Sequence, residues 1–155
     1  MPLIETIDLR MRCASNLKNQ WYRLGFYHLH EALRQNDPSF RNQPLYPTPT
    51  EWCDDMLRPW PQTGGIHQNK WNAKAHICPS GGEGKNHYAM NPNCEPNSPA
   101  DMVLLFETKA GWNQHGGPEL FTFDNHDPKG GCVLLNDGTV KFIRTKEELQ
   151  QLRWK

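Results

Sequence analysis

Residues 130–143 read "GGCVLLNDGTVKFI", two apolar runs around Asp137-Gly138. Asp-Gly between such runs signals a two-residue type I′ hairpin, because both central positions need positive φ. In that register Leu135 faces Val140 and Val133 faces Phe142, and all four share one apolar face. Thr139 and Lys141 then go to the other face. A three-residue loop with a bulge at Gly138 would set Leu134 opposite Val140 and Val133 opposite Lys141 instead. The first register is preferred because it separates Lys141 from the apolar set.

Working outward, Thr145 and Glu148 form a T-x-x-E capping box that starts a final helix through Leu149 and Leu152. Upstream, "MVLLFET" at 102–108 is apolar on both faces and reads as a central strand. "GWNQHGGPE" at 111–119 is a loop and "LFTF" at 120–123 a candidate strand. "NHYAMN" at 86–91 reads as a short extended piece, and Ala75–Cys78 as a short strand entering a glycine turn.

The helical signal is strongest in residues 5–35. Cys13, Leu17, Trp21, Leu24 and His28 are spaced 4, 4, 3 and 4 and share one face. Arg10, Arg12, Lys18, Arg23 and Arg34 fall largely elsewhere. "NDPS" at 36–39 ends this helix, since the residue before Pro38 is pushed out of the α region. A proline-spaced connector runs to residue 50. Thr50 then caps a short helix that buries Trp52, Met56 and Leu57 and is stopped by Pro59 and Pro61. Residues 62–74 read as loop.

The expected fold class is therefore α+β: a long N-terminal helix packed on a small antiparallel sheet, loop-rich, with a short C-terminal helix. One domain is expected over 1–155, with the helix in 1–35, a loop-rich middle in 36–101, and sheet plus final helix in 102–155.

Lys+Arg and Asp+Glu both total 17, which argues against nucleic acid or an anionic membrane as a bulk electrostatic partner. The hydrophobic fraction is 36 %, so the core must be small; six Trp partly compensate. Five cysteines, Cys13, Cys53, Cys78, Cys94 and Cys132, point to disulfides and an oxidising compartment. Cys78–Cys94 is a local pairing option, and Cys13 or Cys53 to Cys78 are longer-range ones. No signal peptide or bilayer-spanning run is visible.

Several constellations carry candidate chemistry. His76, Cys78, His87 and Cys94 are suitable zinc ligands, but H-x-C-x8-H-x6-C matches no compact knuckle. Cys78 with a histidine suggests a thiol nucleophile, yet the sequence identifies no orienting third group. "GGEGK" at 81–85 lacks the phosphate-loop spacing and reads as a turn. Asp101, Glu107, Asp124, Asp127 and Asp137 offer hard oxygen donors for calcium, without an EF-hand run. His28 and His30 point to different sides of the helix and cannot chelate together. No catalytic, cofactor or metal residue is assigned on these grounds.

Three segments in order resemble one family. "RCASNLKNQWYRLGFYHL" at 12–29, "ICPSGGEGKNHYAMNPNC" at 77–94 and "DNHDPKGGCVLLNDGTVKFI" at 124–143 are similar to the helix, the "CPS…SYAMN" segment and the C-terminal His-x9-Asp-Gly signature of prepilin-like, pseudopilin-like proteins. Ten residues, not nine, separate His126 from Asp137 here. Leu3, Ile4 and Glu5 echo a mature prepilin start, but Thr6, Asp8, Arg10 and Arg12 replace the apolar anchor. The resemblance implies a long helix on an antiparallel sheet, displayed in the periplasm or outside the cell. It implies a non-enzymatic envelope protein, related to type II secretion components, that binds other protein subunits. No cofactor and no nucleic acid are expected, and membrane attachment only through an anchor absent from this chain. Trp60, Trp71 and Trp112 are the expected contact anchors. The alternative is a zinc- or calcium-binding or hydrolytic domain using His126 with Asp124 or Asp137.

Overall fold

The computed structural model describes residues 2–35, 45–58 and 73–155, with side chains in the first segment from 9 to 27. Three helices and four strands are described: α1 (Pro2–Gln35), α2 (Trp52–Leu57), β1 (Tyr88–Met90), β2 (Val103–Glu107), β3 (Gly131–Leu135), β4 (Val140–Ile143) and α3 (Lys146–Gln150). The strands make one antiparallel sheet in the order β1-β2-β3-β4. This is the expected α+β arrangement of a long helix on a small sheet.

The sheet is covered on both faces. On one, Cys13, Leu17 and Leu24 of α1 pack with Trp52 and Met56 of α2 onto Tyr88, Met90, Leu104, Leu105, Cys132 and Leu134. On the other, Phe121, Leu149 and the partly buried Trp154 cover Ala89, Val103, Phe106, Val133, Leu135 and Ile143. Leu17 and Leu24 are almost wholly buried, each contributing about 2 kcal/mol of hydrophobic stabilisation.

Two-sided cover explains why the hairpin adopts the other register. Leu134 pairs with Val140, Val133 with Lys141, and Cys132 with Phe142. Gly138 has φ +91° and donates its N–H to Leu135 O, while Leu135 N donates to Thr139 O. This is a three-residue loop with a glycine bulge. Separating Lys141 from the apolar set assumed one buried face. All five residues of β3 are buried, so Cys132 and Leu134 serve the α1 side while Val133 and Leu135 serve the other.

Asn136 holds this loop in place. Its Nδ2 donates to Glu95 O and Ser98 O, its Oδ1 accepts from Tyr46 Oη at 2.6 Å, and its carbonyl accepts from Trp21 Nε1. Lys18 Nζ donates to Gly138 O, so α1 grips the turn at two points.

Other local expectations fare unevenly. Thr145 Oγ1 accepts from Glu148 N and Glu148 Oε2 from Arg144 N, so α3 starts as expected. Thr50 does not cap α2; it sits in a 3-10 turn, Pro49–Glu51, that leads straight into the helix. Ala75–Cys78 is not a strand, because Ala73–His76 is a 3-10 turn. "LFTF" is not a strand either: a 3-10 turn covers Pro118–Leu120, and only Phe121 bridges to Thr108. Arg23 is buried, donating from Nε and Nη2 to Met56 O, and its burial lowers its pKa to about 10. The readings of Trp60, Trp71, Pro59, Pro61 and the side chains of His28, His30 and Arg34 lie outside the described residues.

Candidate functional site

A register shift between Val103 and Leu105 decides where β2 places its only acid. Strand side chains alternate, so a bulge inverts the phase beyond it. Leu104 and Leu105 both face α1, Phe106 faces away, and Glu107 comes to lie under the helix opposite Tyr88. Glu107 is fully buried there. Its Oε2 accepts the backbone N–H of Cys132, and its Oε1 accepts Asn125 Nδ2 at 3.2 Å.

Three further side chains converge on this carboxylate. His126 Nε2 lies 3.0 Å from both oxygens. Cys78 Sγ lies 3.2 Å from Glu107 Oε1 and 3.6 Å from His126 Nε2. Cys13 Sγ, from the buried face of α1, lies 2.9 Å from Cys78 Sγ and 3.1 Å from Tyr88 Oη. One donor atom from each of Cys13, Cys78, Glu107 and His126 lies within 4.8 Å of every other, and all four residues are buried.

Local structure aims each member. The "CPS" segment supplies Cys78 and also Ser80, whose Oγ lies 2.9 Å from His126 Nδ1. Cys78 N donates to His87 Nδ1 at 3.0 Å, and Gly81 N donates to Cys78 O, closing a tight turn. A Cβ on Gly81 would sit 2.7 Å from the His87 ring, so "GGEGK" wraps a histidine rather than a phosphate. Arg10 Nη2 donates to Pro128 O and its guanidinium lies over Phe142, which meets the His126 ring edge-on.

The protonation pattern follows from these contacts. The Cys13 hydrogen bond, with His126 and Ser80 also helping, holds Cys78 down to about 6 against its burial. Burial drives the Cys13 thiol upward. Burial opposes charge on His126, but Cys78 and Glu107 overcome it and lift the ring to about 10. Burial likewise opposes the Glu107 charge, and His126 outweighs it, holding the carboxylate below its usual range.

A thiol nucleophile paired with a base needs the histidine to use one nitrogen for sulfur and the other for its orienting acid. Here Cys78 and Glu107 share Nε2, while Nδ1 faces Ser80. The orienting acid that the sequence did not identify is present, but on the wrong nitrogen for that chemistry. Convergence of two thiols, one imidazole nitrogen and one carboxylate oxygen is instead the donor set of a tetrahedral metal centre.

The remaining sequence candidates separate. Of the zinc quartet only Cys78 is in the centre. His76 Nδ1 accepts from Asn86 Nδ2 and its ring lies tilted beside Trp52, His87 accepts from Cys78 N, and Cys94 contacts Glu95 O. Of the calcium set only Glu107 takes part. Asp101 pairs with Arg153, Asp124 with Lys129, and Asp137 caps Thr139 N. Neither Asp124 nor Asp137 belongs to the group around His126. All five cysteines are buried thiols with no disulfide, a correction to the expected bridges; of the pairing options, the longer-range Cys13 and not the local Cys94 is the sulfur neighbour of Cys78.

Ser80 and Tyr88 were missed as members of a site; Cys13 reads from sequence as a helix core residue and a disulfide option for Cys78, and Glu107 only as one of the calcium-type donors. A signal existed for Glu107: a lone carboxylate closing a strand apolar on both faces must find a buried partner. Compared with known proteins, the chain matches no family model, no curated protein and no solved structure.

Proposed function

We propose that this chain is a non-catalytic, pseudopilin-like module of the cell envelope that works by assembling with further copies of itself through the outer face of α1. The observation that carries this reading is a stripe on that helix. Met11, Tyr22 and Phe26 are 63 %, 53 % and 56 % exposed. At about 100° per residue they fall on one side of α1, opposite Cys13, Leu17 and Leu24.

Two arguments favour a like chain as the occupant. Positive and negative residues balance at 17 each, so copies do not repel one another as a strongly charged chain would. At 34 residues α1 rises about 51 Å, roughly three times the length of a five-residue strand, which gives a long edge for helix-to-helix contact. The reading agrees with the resemblance in the three ordered segments, and it puts the domain in the periplasm or outside the cell. No helix among the described residues is long and apolar enough to cross a membrane.

Sedimentation across a concentration series tests this. The native chain should gain mass with concentration, and Tyr22→Ser with Phe26→Ser should remain monomeric at unchanged melting temperature. A native chain that is monomeric throughout, or association untouched by the double substitution, would overturn the reading.

A further inference from the structure

We infer that Cys13, Cys78, Glu107 and His126 bind one Zn²⁺ ion that fastens α1 to the sheet. This inference stands apart from the assembly reading, because it concerns the inner face of α1 and not the outer one.

The donor chemistry selects the metal class. Two sulfurs and an imidazole suit zinc, whereas calcium and magnesium require oxygen shells. With bond lengths of about 2.0–2.3 Å, a tetrahedral zinc site has ligand–ligand edges of roughly 3.3–3.8 Å. Four of the six edges are 2.9, 3.0, 3.2 and 3.6 Å, and the two from Cys13 to Glu107 and His126 are within 4.8 Å, so the four atoms fit such a site with shifts of up to about 1 Å, the largest between the two sulfurs.

The surrounding groups are those that orient ligands. His126 presents Nε2 inward and places Nδ1 2.9 Å from Ser80 Oγ, which can accept the Nδ1 proton when Nε2 binds a metal and so orients the ring. Two thiolates and one carboxylate leave a net charge of −1 around Zn²⁺. The Cys132 N–H, Asn125 Nδ2 and Tyr88 Oη all point at these ligands and spread that charge. Since all four protein donors are buried, the site is closed in the manner of a structural zinc.

The need for a staple is visible in the fold. Cys13 comes from α1, Glu107 from β2, and Cys78 and His126 from loops, so one ion joins four separated segments. A chain with 36 % hydrophobic residues has a modest core to hold such loops.

The test uses untagged full-length chain. Metal analysis after purification in the presence of Zn²⁺ should give one ion per chain. Replacement by Co²⁺ should give the visible bands and thiolate-to-metal charge-transfer band of a tetrahedral, sulfur-ligated ion. Chelation should release two additional reactive thiols. Cys78→Ser should weaken Zn²⁺ affinity by more than about 100-fold, beyond the usual effect of losing an outer-shell partner. Cys94→Ser should retain the ion, and Glu107→Gln, which keeps an acceptor, provides a second reading if the cysteine variant unfolds. A metal-free chain, a Co²⁺ complex without charge transfer, or a Cys13–Cys78 disulfide in the freshly purified protein would each overturn the inference.

Discussion

The Sγ atoms of Cys13 and Cys78 lie 2.9 Å apart although 65 residues separate them in the chain. The contact joins the first half of α1 to the turn after the 3-10 segment Ala73–His76, and it is buried. Removing a metal from this point should therefore loosen the helix from the sheet. Zinc held at about 1,000 times its dissociation constant contributes roughly 4 kcal/mol, or about 10 °C of melting temperature for a chain of this size. Calorimetry with and without chelator should show a fall of that order, and hydrogen exchange should place the lost protection in α1.

Asn136 should matter more than its turn position suggests. Its amide donates to two carbonyls of the 95–98 loop and accepts the Tyr46 hydroxyl. Asn136→Ala leaves these groups without partners and should cost about 2–3 kcal/mol in urea unfolding. Asn136→Asp removes the donors that face those carbonyls and should cost at least as much. Tyr46→Phe removes one bond and should cost about 1 kcal/mol.

Gly138 tests the hairpin geometry. Its φ is +91°, and a Cβ there would meet Lys18 Nζ at 2.8 Å and Trp21 at 2.9 Å. Gly138→Ala should destabilise by about 1–2 kcal/mol, combining left-handed strain with displacement of the α1 side chains. A neutral result in denaturant titration would contradict the bulged loop.

Acid stability should depend on His76. Burial, reinforced by Arg23, lowers its pKa from 6.5 to about 4. The unfolded chain therefore takes up a proton that the folded ring refuses. This contribution is fully present above pH 6.5, falls as pH drops from about 6.5 to 4, and is flat below that, a total of roughly 3 kcal/mol. His76→Gln should flatten the slope in that window, and the ring's proton resonances should titrate well below pH 6.

The parts of this fold legible from sequence are those with one clear period. The buried face of α1, the inner strand at 102–108, the hairpin and the Thr145 cap all have local signals. The hairpin register was not legible, because choosing it by polarity assumes one apolar face, and β3 is buried on both. Nor was the centre as a whole: Cys13 reads as a core residue of the helix and one disulfide option for Cys78, and Glu107 as one loop acid among several, with nothing to join the two. The bulge between Val103 and Leu105 turns that acid toward Cys13, and no composition rule marks it. His126 stood out as half of a pair with Asp137, yet its partners come from β2 and the "CPS" turn, and Asp137 caps its own loop.

Contact between copies through the outer face of α1 is tested most directly by a single new thiol at its centre. The native cysteines are at most 5 % exposed, so Ser15→Cys, an exposed position within the Met11, Tyr22 and Phe26 stripe, supplies a surface thiol that reacts ahead of them. A short bifunctional maleimide should convert this variant to covalent dimers in high yield, while Glu147→Cys on α3 should remain monomeric. Equal cross-linking of the two variants, or none with Ser15→Cys, would contradict it.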